Sequence, residues 1–170
     1  MSNATVRKRV ACNLPERAAL NRVALRALHA WFLATRAITL GVRAAAYDEA
    51  GRVCLVRHRY TPGWYLPGGG VELGEHALAA LRRELKEEAA LEFSGTPRLH
   101  GIFLNAHVSR RDHVLLYVAR EIRVLGPRPP DREIAETGFF AVDELPADTT
   151  RGTRARLEEI ATERTPAPLW

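Results

Sequence analysis

Glu84, Glu87 and Glu88 are spaced three and four residues apart. At about 100° per residue on a helix they fall within an arc of roughly 100°, beside an apolar stripe of Leu78, Leu81, Leu85 and Ala89. Like charges at this spacing repel by a few tenths of a kcal/mol per pair when merely solvated. Arg83 and Lys86 relieve some of that, but clustered carboxylate oxygens are natural ligands for a hard divalent ion. Mg²⁺ commonly takes one or two carboxylates together with substrate phosphates. From three glutamates alone, a charged solvent face is the commoner outcome. Pro67-Gly68-Gly69-Gly70, just before the helix, shifts that weighing, because backbone without side chains can approach a phosphate or an ion closely.

Other residues carry the right charge or shape for a phosphorylated ligand. Arg57, His58 and Arg59 end a strand leading towards the glycines, while Arg110, Arg111 and His113 flank a basic turn, and all suit phosphate by charge. For each one taken singly, a surface role is the commoner use. Trp64 and Tyr65 have rings that could stack on a base, although core packing is the more frequent role. His107 and His113 have no cysteine or histidine partner at zinc spacing.

These residues need elements to position them. The stretch from Pro15 to Arg36 lacks Gly and Pro and places Leu20, Ala24, Ala27, Leu28 and Trp31 near helical spacing, so it is expected to form a basic amphipathic helix. Thr39 to Tyr47 and Arg52 to His58 flank Asp48-Glu49-Ala50-Gly51 and are expected to form a hairpin. A turn-rich stretch from Thr61 to Gly70 leads into a helix from about Glu75 to Ala90. Strands are expected at Leu99 to Ala106, His113 to Val124 and Gly138 to Val142. A Pro-rich connection fills Leu125 to Arg132, and a helix runs from about Thr150 to Arg164. This mixed order implies helices packed on a sheet in an α/β or α+β sandwich.

Gly69, Glu75 after five residues, Arg83-Glu84-Leu85-Lys86-Glu87-Glu88 after seven more, and Leu91 follow the pattern G-x5-E-x7-R-E-U-x-E-E-x-G-U. The chain thereby resembles the Nudix hydrolases. Trp64-Tyr65-Leu66-Pro67 before the pattern, and Gly138-Phe139-Phe140 with Glu144-Leu145-Pro146 after it, extend the resemblance from about Thr39 to Ile160. One position departs: Ala90 stands where the family has its second glycine, at a cost of about 1 kcal/mol if a left-handed conformation is kept.

The resemblance implies an α/β/α sandwich with a mixed sheet, here with an extra N-terminal helix. It also implies a pyrophosphohydrolase that uses Mg²⁺ or Mn²⁺ to split a phosphoanhydride in a nucleoside diphosphate linked to another moiety. The glutamates matching the motif, Glu84, Glu87 and Glu88, would bind metal, with one of them deprotonating water. Arg83 would orient them, and the Gly68 carbonyl would join the metal shell. Glu133 and Glu136 stand where the family often adds a later carboxylate. The departing moiety is left to the loops at His58 to Tyr65, Ala106 to His113 and Pro127 to Glu136. Two other classes compete: a non-catalytic nucleotide sensor of the same fold, and a nucleic-acid-binding protein led by the basic helix.

Composition bounds these readings. The chain has 170 residues, 46% of them hydrophobic and 26% charged, which fits one soluble globular domain. We read residues 1–38 as the basic helix, part of or packed on the domain, and 39–165 as the hydrolase domain. The formal charge of +5 is uneven. Up to Arg43 there are eight basic residues and one acid, and the remainder is slightly acidic. No nucleic-acid-binding motif accompanies that charge. If the helix covers the sheet or a dimer partner, Leu28 and Trp31 should be buried. The Arg-rich segment would also suit an organellar transit peptide, whereas the preference for Arg over Lys, with abundant Ala, points more simply to a GC-rich bacterial genome. Cys12 and Cys54 are too few for a disulfide framework, and Arg36 and Arg43 interrupt the best apolar run. The expectation is therefore a cytoplasmic protein without a membrane span.

Overall fold

The computed structural model describes residues 14–170, with side chains from Leu25 onward. The early arginines and Cys12 lie outside the described residues, as do the side chains of Leu20 and Ala24. The chain divides into two compact units between Ala37 and Ile38. In the first, helix α1 spans Leu14–Arg36. Its Leu28 and Trp31, expected to be buried if the helix covers the sheet or a dimer partner, are 45% and 54% exposed in the single chain. Among the described residues, no helix is long and apolar enough to cross a membrane.

The second unit contains eight strands and two helices: β1 Thr39–Ala46, β2 Val53–His58, β3 Trp64–Tyr65, α2 Ala77–Ala89, β4 Leu91–Phe93, β5 Arg98–Leu104, β6 Asp112–Ala119, β7 Ile122–Val124, β8 Ile134–Phe140 and α3 Arg151–Ala161. β1 runs parallel to β6, which pairs antiparallel with β5, while β2 lies between β3 and β8. β4 and β7 form a separate short ribbon.

Alternation along the strands creates the layers, because successive side chains point to opposite faces. Val42, Ala44, Ala46, Cys54 and Val56 pack with Ala80, Leu81 and Leu85 of α2. Ala45, Tyr47, Val53 and Leu55 pack with Leu157 and Ile160 of α3. Helices therefore cover the strands from both sides, as in an α/β/α sandwich.

The expected β1–β2 hairpin does not form as a ladder. The turn exists, with Asp48 accepting from Arg52 N at 2.8 Å and Gly51 at φ 75°. Only one bridge, Tyr47 to Val53, links its two arms. β1 instead pairs along all of its length with β6, and β2 is flanked by β3 and β8. The single strand expected over His113 to Val124 is broken at Arg120-Glu121 into β6 and β7.

Helix α2 begins at His76, whose side chain accepts from Ala79 N, and ends at Ala90 in the left-handed conformation, φ 52° and ψ 41°. The alanine thus keeps the geometry that glycine would adopt more cheaply. Cys54 is fully buried, and burial pushes its thiol up to about 12, so it acts as an inert packing residue.

Candidate active site

Residues 67–71 lie along β1 and present the loop to α2. Val42 N donates to Gly69 O at 2.8 Å, Ala44 N to Pro67 O at 2.9 Å, and Val71 N to Leu40 O at 2.8 Å. Gly68 lies between these bonds with φ 142°, and a Cβ there would sit 2.1 Å from Val42 O, so no other residue fits. Its N–H turns the other way and donates to Glu88 Oε2 at 2.7 Å. A Cβ on Gly69 would meet Glu84 Oε1 at 2.4 Å. The loop and the carboxylate helix are therefore in contact because two residues lack side chains.

Arg83 organises the acidic edge of α2. Its guanidinium donates to both Glu75 oxygens, at 3.2 and 3.0 Å, to Glu84 Oε1 at 2.7 Å and to Gly70 O at 3.0 Å. Glu87 Oε2 lies 3.5 Å from it and remains largely exposed. These bonds hold the Glu75 carboxyl below its ordinary range, with the Arg83 hydrogen bonds as the main cause.

Glu88 is different. It is only 5% exposed, and desolvation pushes its pKa up to about 7, against the opposing effects of the Gly68 amide and the Arg43 charge. Burial likewise raises Glu84. His58 Nε2 lies 3.8 Å from Glu88 Oε1. Burial and Arg43 lower the His58 pKa, which keeps the ring neutral, and its buried Nδ1 has no hydrogen-bond partner. Glu133 faces the same point and accepts from the Tyr60 hydroxyl at 3.2 Å. His58, Glu88 and Glu133 each offer one ligand atom, all within 4.8 Å of one another.

A divalent ion fits this donor set. Two carboxylates and a neutral imidazole converge where a buried carboxylate has one amide and a neighbouring arginine to oppose its charge. Of the expected group Glu84, Glu87 and Glu88, only Glu88 lies with His58 and Glu133; Glu84 and Glu87 pair with Arg83, at 2.7 and 3.5 Å. Glu136, on β8, is the cross-strand neighbour of Arg57 and lies 3.9 Å from its Nε, outside the group.

The expected substrate-binding residues are scattered. Trp64 is 3% exposed and packs edge-on against Phe140 with Arg57 over its ring, so it belongs to the core and is not open to a base. Arg57 is paired with Asp148 at 2.7 Å, and Arg59 donates to the Asp131 carbonyl. Arg110 and Arg111 are exposed in the β5–β6 turn. A cleft of about 540 Å³ opens beside Gly69 and Gly70, and Arg43, Tyr65, Asn105, Asp112 and Trp170 are among its lining residues. A wider hollow of about 740 Å³ runs along the outer side of α2. Its Arg82 is already bonded to Phe93 O and stacked on that ring. Sequence reasoning missed Arg43 as a site residue, because only the fold brings it from β1 to Leu66 O, where it donates at 2.9 Å. It named His58 for phosphate and did not place it beside Glu88 and Glu133, because neither lies near it in the chain.

A glycine strand laid on β1, followed by a helix that turns carboxylates back towards it, defines the Nudix class of α/β/α sandwich. The family model for the NUDIX domain matches residues 37–159. The chain belongs to the Nudix family. It is 37% identical over 87 residues to diphosphoinositol polyphosphate phosphohydrolase 2 of Rattus norvegicus, which covers 51% of this chain and 47% of that protein. The chain thus spans about half the length of this curated relative. Among solved structures it resembles a MutT Nudix hydrolase of Burkholderia pseudomallei, with TM-score 0.58 and 28% identity, covering 73% of this chain and 98% of that one. It also resembles an ADP-ribose pyrophosphatase of Streptococcus suis, with TM-score 0.57 and 27% identity, covering 74% and 92%.

Proposed function

We propose that this chain hydrolyses the phosphoanhydride of a nucleoside diphosphate linked to another moiety, with Mg²⁺ or Mn²⁺ held at Glu88 and Glu133. Glu84 lies one turn before Glu88 on α2, Glu87 is on the same acidic edge, and the Gly68 carbonyl is a further ligand by family resemblance. The observation that carries this reading is the Glu88 carboxyl, buried and pushed up to about 7 beside His58 and Glu133. Such a group is costly to ionise without a cation, and hard oxygen donors select Mg²⁺ or Mn²⁺. A divalent ion supplies the positive charge that an attacked phosphoanhydride requires.

The protein's own residues supply position. Arg83 fixes Glu84 against the glycine loop, the Gly68 N–H orients Glu88, and Arg43 provides a fixed cation at the cleft for a phosphate. By the family resemblance, one of Glu84, Glu87 and Glu88 takes the proton from attacking water. The relatives named above act on a diphosphoinositol polyphosphate and on ADP-ribose, so both belong in a substrate panel with nucleoside triphosphates, nucleotide sugars and dinucleoside polyphosphates. We expect hydrolysis of at least one nucleoside diphosphate derivative with Mg²⁺, its loss in excess chelator and its return with Mg²⁺ or Mn²⁺. Full activity in chelator, or none across the panel, would refute the proposal.

A further inference from the structure

Beside the glycine loop, the cleft of about 540 Å³ ends against segment 166–170. This segment runs next to β5: Leu104 N donates to Pro168 O at 2.9 Å and Trp170 N to Leu104 O at 3.1 Å. Helix α3 holds it from behind. The buried Arg156 donates to the Leu169 carbonyl, and Glu159 accepts from Ala167 N at 3.2 Å. The Trp170 indole lies over Gly152, where an added Cβ would come within 2.7 Å of Nε1, and it meets Phe103 edge-on at 5.6 Å between centroids. The indole is thus fixed from two sides and still lines the cleft.

A polar group in the same cleft is fixed as firmly. Asn105 donates through its main-chain N–H to Asp112 O at 2.8 Å and through Nδ2 to Asp112 Oδ2 at 2.8 Å. Asp112 Oδ1 accepts the Thr39 hydroxyl at 2.6 Å. The direction of the Asn105 amide is therefore determined, leaving its Oδ1 acceptor and one Nδ2–H donor for another partner. A donor and an acceptor on one amide, in a cleft that an indole also lines, match a nitrogen heterocycle. The lining carries a single guanidinium, Arg43, and includes the acidic Asp112, which suits a neutral group better than a polyphosphorylated ring.

We propose that this cleft binds the nucleobase of the substrate, stacked on Trp170 and read at its edge by Asn105, with the phosphates leading over Gly69 and Gly70 towards Glu88. This inference rests on the nucleotide substrate proposed above. Trp170 and Asn105 are then specificity residues, and Asp112, Thr39 and Arg156 are positioning residues.

The test is calorimetric binding of AMP, GMP, CMP, UMP and ribose 5-phosphate to the full chain. At least one nucleotide should bind more tightly than ribose 5-phosphate by about ten-fold. Trp170→Ala should lose roughly that advantage and leave ribose 5-phosphate binding unchanged, whereas Trp170→Phe should keep most of it. Asn105→Asp exchanges the donor for an acceptor and should change the order of preference among the four bases. If Trp170→Ala folds poorly, Trp170→Phe and Asn105→Asp still decide the matter. Unchanged affinities and base order in all variants would overturn the inference, even with hydrolysis intact. Trp170-dependent nucleotide binding without hydrolysis of any substrate would support the cleft and overturn the proposed activity.

Discussion

Helices α2 and α3 cover opposite faces of the same strands, and each draws an ionisable carboxyl out of solvent, with opposite consequences. On α3, Glu159 has its counter-charges built in. It accepts from Arg156 at 2.6 Å and from Ala167 N at 3.2 Å, and lies 3.5 Å from His100. On α2, Glu88 is more deeply buried but receives one amide hydrogen bond, and it faces Glu133 and a neutral imidazole. A buried charge satisfied from within is structural, since removing one partner strands the other. A buried carboxylate left without a close cation either keeps a proton or is neutralised by a cation from outside, which is what the proposed function requires of Glu88. On the proposed function, the difference separates a clamp from a binding site within one fold.

Neutralising the two glutamates should separate these roles. Glu88→Gln should slow hydrolysis by about 10²-fold or more. At pH 8 without metal, the same variant should melt above the wild type, because it removes a buried charge. Near-normal turnover with lowered melting would place Glu88 with the structural ion pairs.

The pH dependence of stability sharpens the contrast. The folded state keeps a proton on Glu88 that the unfolded chain releases near the ordinary carboxylate value, so the native state binds more protons between pH 4.5 and about 7. Stability of the metal-free protein should therefore fall as pH rises through that window, by about 3 kcal/mol at 1.36 kcal/mol per unit. Glu84, also raised, acts in the same direction. Denaturant unfolding in chelator at pH 5 and pH 8 reads this change. A flat profile would mean that Glu88 is well solvated or already compensated.

On the other face, Glu159→Gln should cost about 2 kcal/mol of stability and leave kcat at saturating substrate unchanged. A large fall in kcat would give α3 a chemical role. The smallest expected effect lies at the end of α2. Ala90→Gly relieves the left-handed alanine and should stabilise by about 1 kcal/mol, raising the melting temperature by about 3 °C. An unchanged or lower melting temperature would mean that Ala90 packing or chain entropy outweighs the strain.

The two faces were also unequally legible in the sequence. The acidic edge of α2 and its glycine loop occupy adjacent segments, so spacing alone placed Glu84, Glu87 and Glu88 on one side of a helix and Gly68 to Gly70 before it. What spacing could not supply was the contact that distinguishes them: Arg83 takes Glu84 and Glu87, and Gly68 takes Glu88. β1 and β2 looked like a hairpin because Asp48 to Gly51 is a real turn, but the ladder with β6 joins Thr39 to Asp112, far along the chain. Trp64, set before the glycines, had the composition of a stacking residue and proved to be core. The Asn105, Asp112 and Trp170 cluster is assembled from β5, β6 and segment 166–170, and no local pattern announces it. Likewise, Arg43 reaches the cleft only because β1 receives the glycine strand.

The most direct test of the central claim, that the Glu88 carboxylate requires an external cation, is a calorimetric titration of Mn²⁺ into the wild type, Glu88→Gln and Glu159→Gln. The account predicts Mn²⁺ binding to the wild type and Glu159→Gln alike, with proton release near pH 6.5, and binding weakened at least about ten-fold in Glu88→Gln. Equal Mn²⁺ affinity in the wild type and Glu88→Gln would contradict it.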